Sequence, residues 1–221
     1  GTETGDTVTL NTTQIAAVFL NKNVGTGKSV VVSGLTISGT DSGNYTLTQP
    51  TTTANITAKT LTVSGITAAN RVYDASTTAT LNTGTAAFVG VVSGDTVTIG
   101  VGSATGVFAD KNVGSGKTVQ VSGVTKSGTD AGNYTITQPT TTANITAKTL
   151  TVTGITASNR VYDATISATA LLSYGSAALQ GTETGDTVTL NTTQIAAVFL
   201  NKNVGTGKSV VVSGLTISGT D

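Results

Sequence analysis

Residues 95–101 read Asp-Thr-Val-Thr-Ile-Gly-Val, and this alternation of polar and apolar side chains decides the fold. Val97, Ile99 and Val101 share one side of an extended chain, while the threonines between them share the other. Threonine suits the solvent side because its β-branched side chain fits a pleated backbone. The pattern predicts a strand with one buried face.

The same period-two pattern recurs along the chain. Residues 117–121 place two valines on one side, and residues 59–63 do the same with a leucine and a valine. Residues 14–20 have spacing for a short helical turn, but their equivalent at 104–108 contains Thr-Gly, so both segments are predicted as strands. Ser-Gly, Asn-Val-Gly and Asp-x-Gly-Asn turns separate the strands. Seven or eight strands per module of about 90 residues indicate an all-β fold, a small antiparallel β-sandwich of Ig-like or β-grasp-like type.

Internal repeats divide the chain. Residues 1–41 recur without a change as residues 181–221. A looser repeat lies within this one, since Arg71-Val-Tyr-Asp returns at Arg160 after 89 residues. A Lys-Asn-Val-Gly motif recurs in the same way, beginning at Lys22, Lys111 and Lys202. The period of 180 residues therefore comprises two modules, of 89 and 91 residues.

These periods suggest where modules begin. If a module starts at the strand of residues 59–63, residues 58–146 form a complete module. Residues 1–57 are then the C-terminal part of a module, and residues 147–221 form a module lacking its last strand region. The two extra residues of the longer period lie between Asp163 and Gly185, which marks a loop that tolerates insertion.

Neighbouring modules are expected to be joined stiffly. The linking stretch, residues 51–63, contains neither glycine nor proline. A linker of that composition does not swing freely. The tandem modules are therefore expected to form an elongated rod.

Composition excludes several kinds of chemistry. The chain has 50 Thr, 18 Ser and 27 Gly, and no Cys, Met, Trp or His. Thiol catalysis, disulfides, histidine acid–base chemistry and Cys/His metal sites are therefore excluded. A formal net charge of zero argues against a nucleic-acid partner, and no apolar run is long enough for a membrane span. We expect no enzyme activity, no cofactor and no metal.

Arg71-Val-Tyr-Asp, Ser93-Gly-Asp-Thr-Val, Phe108-Ala-Asp-Lys-Asn-Val-Gly and Gly128-Thr-Asp-Ala-Gly-Asn-Tyr follow one another in an order that resembles the YDG repeat family. The repeat signature comprises Arg71, Tyr73 and Asp74, and then Arg160, Tyr162 and Asp163. Alanine follows Tyr-Asp where the family has glycine. We therefore expect Ala75 to avoid the left-handed conformation.

The resemblance implies a modular stalk, spacer or filament shaft of a large secreted bacterial adhesin, located at the cell surface or in an extracellular fibre or biofilm. The expected partners are neighbouring modules, other copies of the chain in a fibre, and host or surface glycans. A module that itself binds glycans or surfaces is the alternative function. Ice binding through Thr-x-Thr segments such as Thr60-Leu-Thr62 ranks below both, because a twisted sheet does not align them.

Several residues are candidates for specific chemistry. Lys59 and Asn144, on the first and last strands of the complete module, form a candidate isopeptide pair if an acid lies beside them. Asn-x-Thr glycosylation acceptors occur at Asn44, Asn55, Asn133 and Asn144. The Lys-Asn-Val-Gly segments lack the spacing of a phosphate loop and are predicted as hairpins. Asp130 begins either half a calcium loop or, as predicted, a turn capped by Asp or Asn side chains.

Recurring tyrosines are the remaining candidates. Each module carries two of them at fixed places, Tyr45, Tyr73, Tyr134 and Tyr162. Only 4% of the chain is aromatic, so these rings are predicted to be the principal large core residues. The other interpretation is that they stack against a ligand.

Overall fold

The computed structural model describes all 221 residues, and almost all of its regular structure is short β-strands. Strands β1 to β5 are Thr9–Asn11, Ala16–Phe19, Gly25–Ser33, Thr36–Ser38 and Thr51–Ile56. Strands β6 to β17 are Lys59–Ser64, Thr67–Ala68, Arg71–Val72, Thr78–Ala79, Leu81–Asn82, Ala87–Val89, Thr98–Gly100, Thr105–Phe108, Gly114–Ser122, Thr125–Ser127, Tyr134–Ile136 and Thr140–Thr146. Strands β18 to β25 are Thr151–Thr153, Thr156–Ala157, Leu172–Ser173, Ala178–Gln180, Val188–Asn191, Ala196–Phe199, Val210–Ser213 and Thr216–Gly219.

Helical structure is limited to three single turns of 3-10 helix, Ser42–Asn44, Ala131–Asn133 and Thr169–Leu171. No helix is long and apolar enough to cross a membrane. The segments at 14–20 and 104–108 contain β2 and β13, so the strand prediction for both is confirmed. The alternation rule also holds on β14, where Val119 is fully buried and Gln120 is exposed.

The chain forms two compact units, each assembled from several segments. The first unit comprises Gly1–Thr67, Leu81–Thr105 and Val121–Thr140. The second comprises Ala68–Thr80, Gly106–Gln120 and Thr141–Asp221. Each unit takes residues from more than one of the modules suggested by sequence, and the module boundaries stay a prediction.

The first unit contains several small sheets. Their strand orders are β2-β3-β5, β1-β4, β11-β6-β16 and β12-β15. A cluster of aliphatic side chains lies among these strands, centred on Ile66, Val121 and Val124. Partly buried aliphatic side chains surround it, including those of Val63 and Ile99. Because the apolar residues are small, each contributes only about 1.5–3 kcal/mol of burial, and the core stays modest.

The second unit contains a five-stranded sheet in the order β8-β17-β14-β13-β9 and four two-stranded sheets, β18-β21, β19-β20, β22-β25 and β23-β24. Phe108 on β13 is its largest fully buried side chain, at 2% exposure. Val119 and Ile145 pack the same sheet from neighbouring strands and are buried as completely. The buried side chains of these alternating strands therefore pack around one aromatic ring.

Strand direction departs from the predicted antiparallel arrangement at two places. β16 pairs with β6 in parallel, with Tyr134 beside Lys59, and β17 pairs with β8 in parallel. The region predicted to hold seven or eight strands holds twelve, β6 to β17. A period of two specifies which face is buried but neither strand direction nor where a strand breaks. Most other pairs are antiparallel, and a sandwich of about 90 residues is not established by these sheets.

The two-residue insertion is absorbed by a helical turn. The isolated β-bridge at Ser167 lies 89 residues after its equivalent position in β9. Strand β20, in contrast, lies 91 residues after its equivalent, β10. The 3-10 helix Thr169–Leu171 lies between them. The added length therefore stays local and leaves the flanking strands paired.

The chain meets the need for a positive φ in its turns in two different ways. Gly123 has φ +78, and a Cβ there would lie 2.2 Å from the Ser103 carbonyl oxygen, so only glycine fits. The expectation that Ala75 avoids the left-handed region is wrong, because Ala75 has φ +60 and Ala164 has φ +62. Asp74 accepts a hydrogen bond from the Ser76 N–H across this turn, which holds the alanine in place despite its Cβ.

Ala75→Gly should stabilise the protein and Gly123→Ala should destabilise it. Glycine relieves a left-handed penalty of about 1–2 kcal/mol but loses more entropy on folding, so a net gain of about 0.5–1 kcal/mol is expected. Alanine at position 123 adds a backbone clash to the same penalty, for a loss of at least about 2 kcal/mol. Chemical denaturation of both proteins checks the pair. An unchanged midpoint for Ala75→Gly would contradict the strain assigned to that turn.

Candidate functional site

The Arg-Val-Tyr-Asp signature forms a turn that Arg71 closes from within. Its Nη1 lies 2.8 Å from an Asp74 carboxylate oxygen. The same nitrogen donates hydrogen bonds to Ser76 Oγ at 2.6 Å and to the Thr78 carbonyl oxygen at 2.9 Å. The guanidinium also lies 5.1 Å from the centre of the Phe108 ring. Arg71 therefore covers the buried ring while its charge stays paired.

The second copy of the signature repeats this arrangement. Arg160 pairs with Asp163 at 3.0 Å and donates to the Ser167 carbonyl oxygen at 2.6 Å. Its guanidinium lies 5.0 Å from the centre of the Phe199 ring. Both signatures therefore stabilise a turn over an aromatic ring.

Backbone hydrogen bonds lower the pKa values of the aspartates in these turns. The Ser76 N–H donates to Asp74 at 3.0 Å and, with Arg71 adding to the effect, holds the pKa of Asp74 below its ordinary value. The Thr165 N–H does the same for the pKa of Asp163. Both carboxylates are held in their charged form, as the turn requires.

The tyrosines divide between core and surface. The prediction that they are the principal core residues holds for Tyr134, which is 3% exposed. Tyr45 and Tyr73 are half-buried, and Tyr162 is 55% exposed. The prediction is therefore wrong for Tyr162, because the repeats differ in which neighbouring segments cover the ring.

A lysine in the hairpin turn before β3 joins two repeats. Lys22 Nζ lies 2.5 Å from an Asp95 oxygen and 2.8 Å from an Asp130 oxygen. The hydrogen bonds to these carboxylates raise the pKa of Lys22 above its ordinary value. The hydrogen bond from Lys22 lowers the pKa of Asp95 and that of Asp130. The three groups therefore stay charged over a wide pH range.

The same bridge occurs one repeat later. Lys111 Nζ lies 2.9 Å from Asp186 Oδ1 and 2.7 Å from Asp221 Oδ1. The Asp186 side chain is 4% exposed, so water screens this pair weakly. The hydrogen bond from Lys111 lowers the pKa of Asp221 to about 2.

Tyr73 of the signature completes this second bridge. Its hydroxyl donates to Asp186 at 2.9 Å, and the Lys111 ammonium lies 5.8 Å from the centre of its ring. Burial raises the pKa of Tyr73, so the hydroxyl keeps its proton and remains a donor. The Lys111 ammonium therefore lies over one face of this ring.

A two-stranded ladder brings each pair of aspartates together. β12 pairs with β15 through Thr98 and Ser127, and Asp95 and Asp130 follow at one end of the ladder. The Thr96 N–H donates to the Asp130 carboxylate at 2.9 Å and fixes its direction. The Asp130 charge opposes the lowering of the Asp95 pKa. Two carboxylates held this close repel each other unless a cation lies between them.

The predicted side-chain cap at Asp130 is wrong. The 3-10 turn Ala131–Asn133 follows Asp130, but no side-chain hydrogen bond caps it, because the carboxylate faces Thr96 and Lys22 instead. No group of three or more acidic side chains is arranged to hold a metal ion.

Backbone contacts accompany the first bridge. The Val24 N–H donates to Asn133 Oδ1 at 2.9 Å, and Asn133 Nδ2 donates to Asn23 Oδ1 at 3.4 Å. The whole Lys-Asn-Val segment, Lys22 included, therefore lies against the following repeat. A glycan on Asn133 would compete with this contact.

The other predicted acceptor asparagines have different surroundings. Asn55 Oδ1 accepts from the Gly27 N–H at 2.8 Å, and Asn144 Oδ1 accepts from the Gly116 N–H at 2.7 Å. These bonds hold the glycine-bearing hairpins and occupy N–H groups that a phosphate loop would need free. Asn44 is exposed at the end of a 3-10 turn.

The candidate isopeptide pair stays a prediction. Lys59 is exposed on β6, beside Tyr134 of β16. The Asn144 side chain accepts the Gly116 N–H described above. Through this hydrogen bond the Asn144 amide oxygen supports the hairpin that contains Gly116.

Sequence reasoning missed the lysine and aspartates of the two bridges. A signal was present in the sequence, because these charged residues recur with the repeat. Lys22 and Lys111 are 89 residues apart, and both aspartates recur after 91 residues. Asp95 lies within the Ser93-Gly-Asp-Thr-Val motif, which by itself indicates only a turn and a strand. Nothing in the spacing showed that a lysine of one repeat reaches the aspartates of the next.

These features define a class of protein, an all-β repeat chain whose consecutive repeats are joined by a lysine between two aspartates. The family model for the YDG domain matches residues 1–54, 57–143 and 146–221, so the chain belongs to the YDG domain family. The resemblance noted in the sequence is confirmed to that extent. No curated protein and no solved structure matches the chain.

The bridges should make stability insensitive to pH near neutrality and sensitive in acid. The chain has no histidine or cysteine, so no side chain has an ordinary pKa between about 5 and 8. Asp221 titrates at about 2 in the folded state, below its ordinary 3.8. The stabilisation it provides is therefore complete above the ordinary value and is lost as the pH falls through 2.

Thermal unfolding followed by circular dichroism across this range tests the expectation. The Lys111→Gln protein should be less stable at neutral pH and should lose less stability on acidification, because Asp221 no longer has the cation that lowers its pKa. A steep loss of stability between about pH 5 and 8 in the unaltered protein would contradict the assignment.

Proposed function

We propose that this chain is a non-catalytic structural repeat region, a stalk, spacer or filament shaft, of a secreted bacterial adhesin or extracellular fibre. Its repeats would be small β-sandwich modules in a stiff, elongated series at the cell surface. The observation that carries the proposal is the Lys–Asp–Asp bridge, present at equivalent positions around Lys22 and Lys111.

A bridge of this kind suits a mechanical role. Two carboxylates converge on one ammonium, so a rotation between repeats would separate the lysine from both carboxylates at once. Asp95 and Asp186 each also accept a hydrogen bond from a tyrosine hydroxyl, Tyr134 or Tyr73, which limits their movement. The joint between repeats therefore has a defined geometry, as a stiff shaft needs.

The arginine side chains of the Arg-Val-Tyr-Asp signature support the same role. Arg71 and Arg160 close turns over Phe108 and Phe199. Their guanidinium groups are paired within the fold. The arginines of both signatures and the lysines of both bridges are thus used for cohesion within and between repeats.

Removing the lysine should loosen the second joint without unfolding the repeats. Because the chain lacks cysteine, Ser115→Cys and Thr189→Cys introduce two unique sites for spin labels. We expect a single narrow distance distribution in the parent protein and a broad one after Lys111→Gln. Pulsed electron paramagnetic resonance measures both.

Lys117→Gln is the matched control. Lys117 lies in the same hairpin but pairs with Asp110 of its own repeat, so its loss should leave the distribution narrow. An equally narrow distribution for Lys111→Gln would show that the bridge does not fix the joint, and the stiff-shaft proposal would fail.

A second candidate function is direct adhesion to glycans. The observation that favours it is a cleft of about 480 Å³ lined by Tyr162, Arg160, Lys202 and Asn203. An exposed tyrosine ring with charged and amide neighbours is suited to stacking on a sugar and donating hydrogen bonds to it.

A glycan array separates the two functions. If the adhesive function is right, the chain should bind a defined set of glycans, Tyr162→Ala should abolish binding, and Tyr174→Ala, at another exposed tyrosine, should not. Absence of binding to any glycan would leave the structural role alone.

A further inference from the structure

Strand pairing is interrupted at two connections along the chain. Strands β1 to β5 pair only among themselves, as do β6 to β17 and β18 to β25, so the chain contains three strand groups. The connections between these groups, residues 57–58 and 147–150, belong to no strand. No backbone–backbone hydrogen bond crosses either connection. The backbone therefore provides no ladder that holds one strand group against the next.

The central strand group also has an aliphatic core of its own. The cluster centred on Ile66, Val121 and Val124 lies wholly within residues 58–146, together with the aliphatic side chains around it. The side-chain hydrogen bonds that cross the first connection are those of the Lys22 bridge and of Asn133. Those that cross the second connection are the ones donated by Lys111 and by the Tyr73 hydroxyl. Polar side chains therefore make every hydrogen bond that crosses the two joints.

The joints also contain the least exposed carboxylates among the ion pairs. The Asp95 side chain is 9% exposed and that of Asp186 is 4% exposed. Asp74 and Asp110, which pair within their own turns, are exposed to solvent, where an ion pair contributes little to stability. No polar or charged residue is fully buried in the core. Protonation of the aspartates therefore weakens the joints more than it weakens the strand groups.

The aspartates are the groups of each joint that change charge in acid. Asp95 faces Lys22, Asp130 and the Tyr134 hydroxyl. The corresponding groups of the second joint are Asp186, Lys111, Asp221 and the Tyr73 hydroxyl. The pKa values of both lysines and both tyrosines are raised, so these four groups keep their protons as the pH falls.

We propose that each joint is a hinge that opens in acid. When both aspartates of a bridge are protonated, the strand groups on either side rotate about the connecting residues, and each strand group keeps its fold. The lysine then has no carboxylate to hold it, and residues 57–58 or 147–150 have no ladder to restrain them. This inference rests on the proposed structural function and describes how its joints are regulated.

The lowered pKa values of the aspartates set the direction of the change. The hydrogen bonds from lysine lower the pKa values of Asp95 and Asp130, and they lower that of Asp221 to about 2 from its ordinary 3.8. The stabilisation that such a group provides is complete above its ordinary pKa and is lost as the pH falls through the lowered one. The joints are therefore closed at neutral pH and open as the pH falls from 3.8 towards 2.

Spin labels at Thr26→Cys and Thr98→Cys test the first joint. Thr26 is exposed at the start of β3, and Thr98 is exposed on β12 of the ladder that carries the aspartates. We expect a narrow distance distribution at about pH 7 and its loss by about pH 2, because both aspartates are then protonated. The far-ultraviolet circular dichroism of the strands should be unchanged, and the narrow distribution should return on neutralisation.

A double variant imitates the protonated joint at neutral pH. Asp95→Asn with Asp130→Asn removes both charges and keeps oxygens that accept the Tyr134 and Thr96 hydrogen bonds. Its distance distribution should already be broad at about pH 7 and should not change further in acid.

Asp110→Asn is the matched control. Asp110 pairs with Lys117 outside the joint, and Asn21 and Asn201 occupy the equivalent position in the other repeats. This variant should have a narrow distribution at neutral pH and should open in the same pH range as the parent.

Three results would overturn the acid hinge. One is a parent distribution that stays narrow until the circular dichroism of the strands is lost. Another is a double variant whose distribution is as narrow as that of the parent at neutral pH. The third is unfolding of the double variant, which would show that the carboxylates support the fold of a strand group.

Failure here is distinguishable from failure of the stalk proposal. The Lys111→Gln experiment reads the second joint at neutral pH, and the acid titration reads the first joint. If Lys111→Gln broadens its distribution but acid leaves the parent narrow until it unfolds, only the acid hinge falls. If Lys111→Gln leaves a narrow distribution, the stalk proposal itself falls.

Discussion

An ammonium group placed between two carboxylates is the interaction on which the joining of these repeats depends. A two-stranded ladder brings Asp95 and Asp130 to the same end, and their like charges destabilise that arrangement on their own. Lys22 relieves the repulsion, so the acceptor repeat is more favourable when its neighbour is present than when it is alone. Cohesion within a repeat and cohesion between repeats are therefore coupled.

The composition explains why charge takes on this role. Threonine, serine and glycine dominate the composition, and large apolar side chains are few. The fully buried side chains include one as small as Val119. Phe108 is the largest fully buried side chain of its sheet, and the Arg71 guanidinium lies 5.1 Å from the centre of its ring. A chain with 10% charged residues thus uses several of them at defined positions, in turns and joints, and leaves its strand surfaces to threonine.

The period-two alternation was enough to predict an all-β chain and the positions of strands such as β12 and β14. The recurrence of motifs such as Arg71-Val-Tyr-Asp made the repeat and the family resemblance visible. Strand direction was not predictable, because a parallel pair such as β6 and β16 has the same alternation as an antiparallel one. The left-handed Ala75 was missed because its cause is tertiary, a turn held by Arg71 and Asp74. The joint at Lys22 was missed for a similar reason, since its two partners lie 73 and 108 residues away.

The joint also explains how repeats of unequal length stay compatible. Asp95 and Asp130 are 35 residues apart, and so are Asp186 and Asp221, although their repeats differ by two residues. The extra residues lie in the turn Thr169–Leu171, upstream of the second aspartate pair, where they alter neither ladder nor lysine loop. A duplicated segment the size of residues 1–41 carries both an acceptor pair and a lysine donor. It can therefore be copied within an array and still join the repeat before it and the repeat after it.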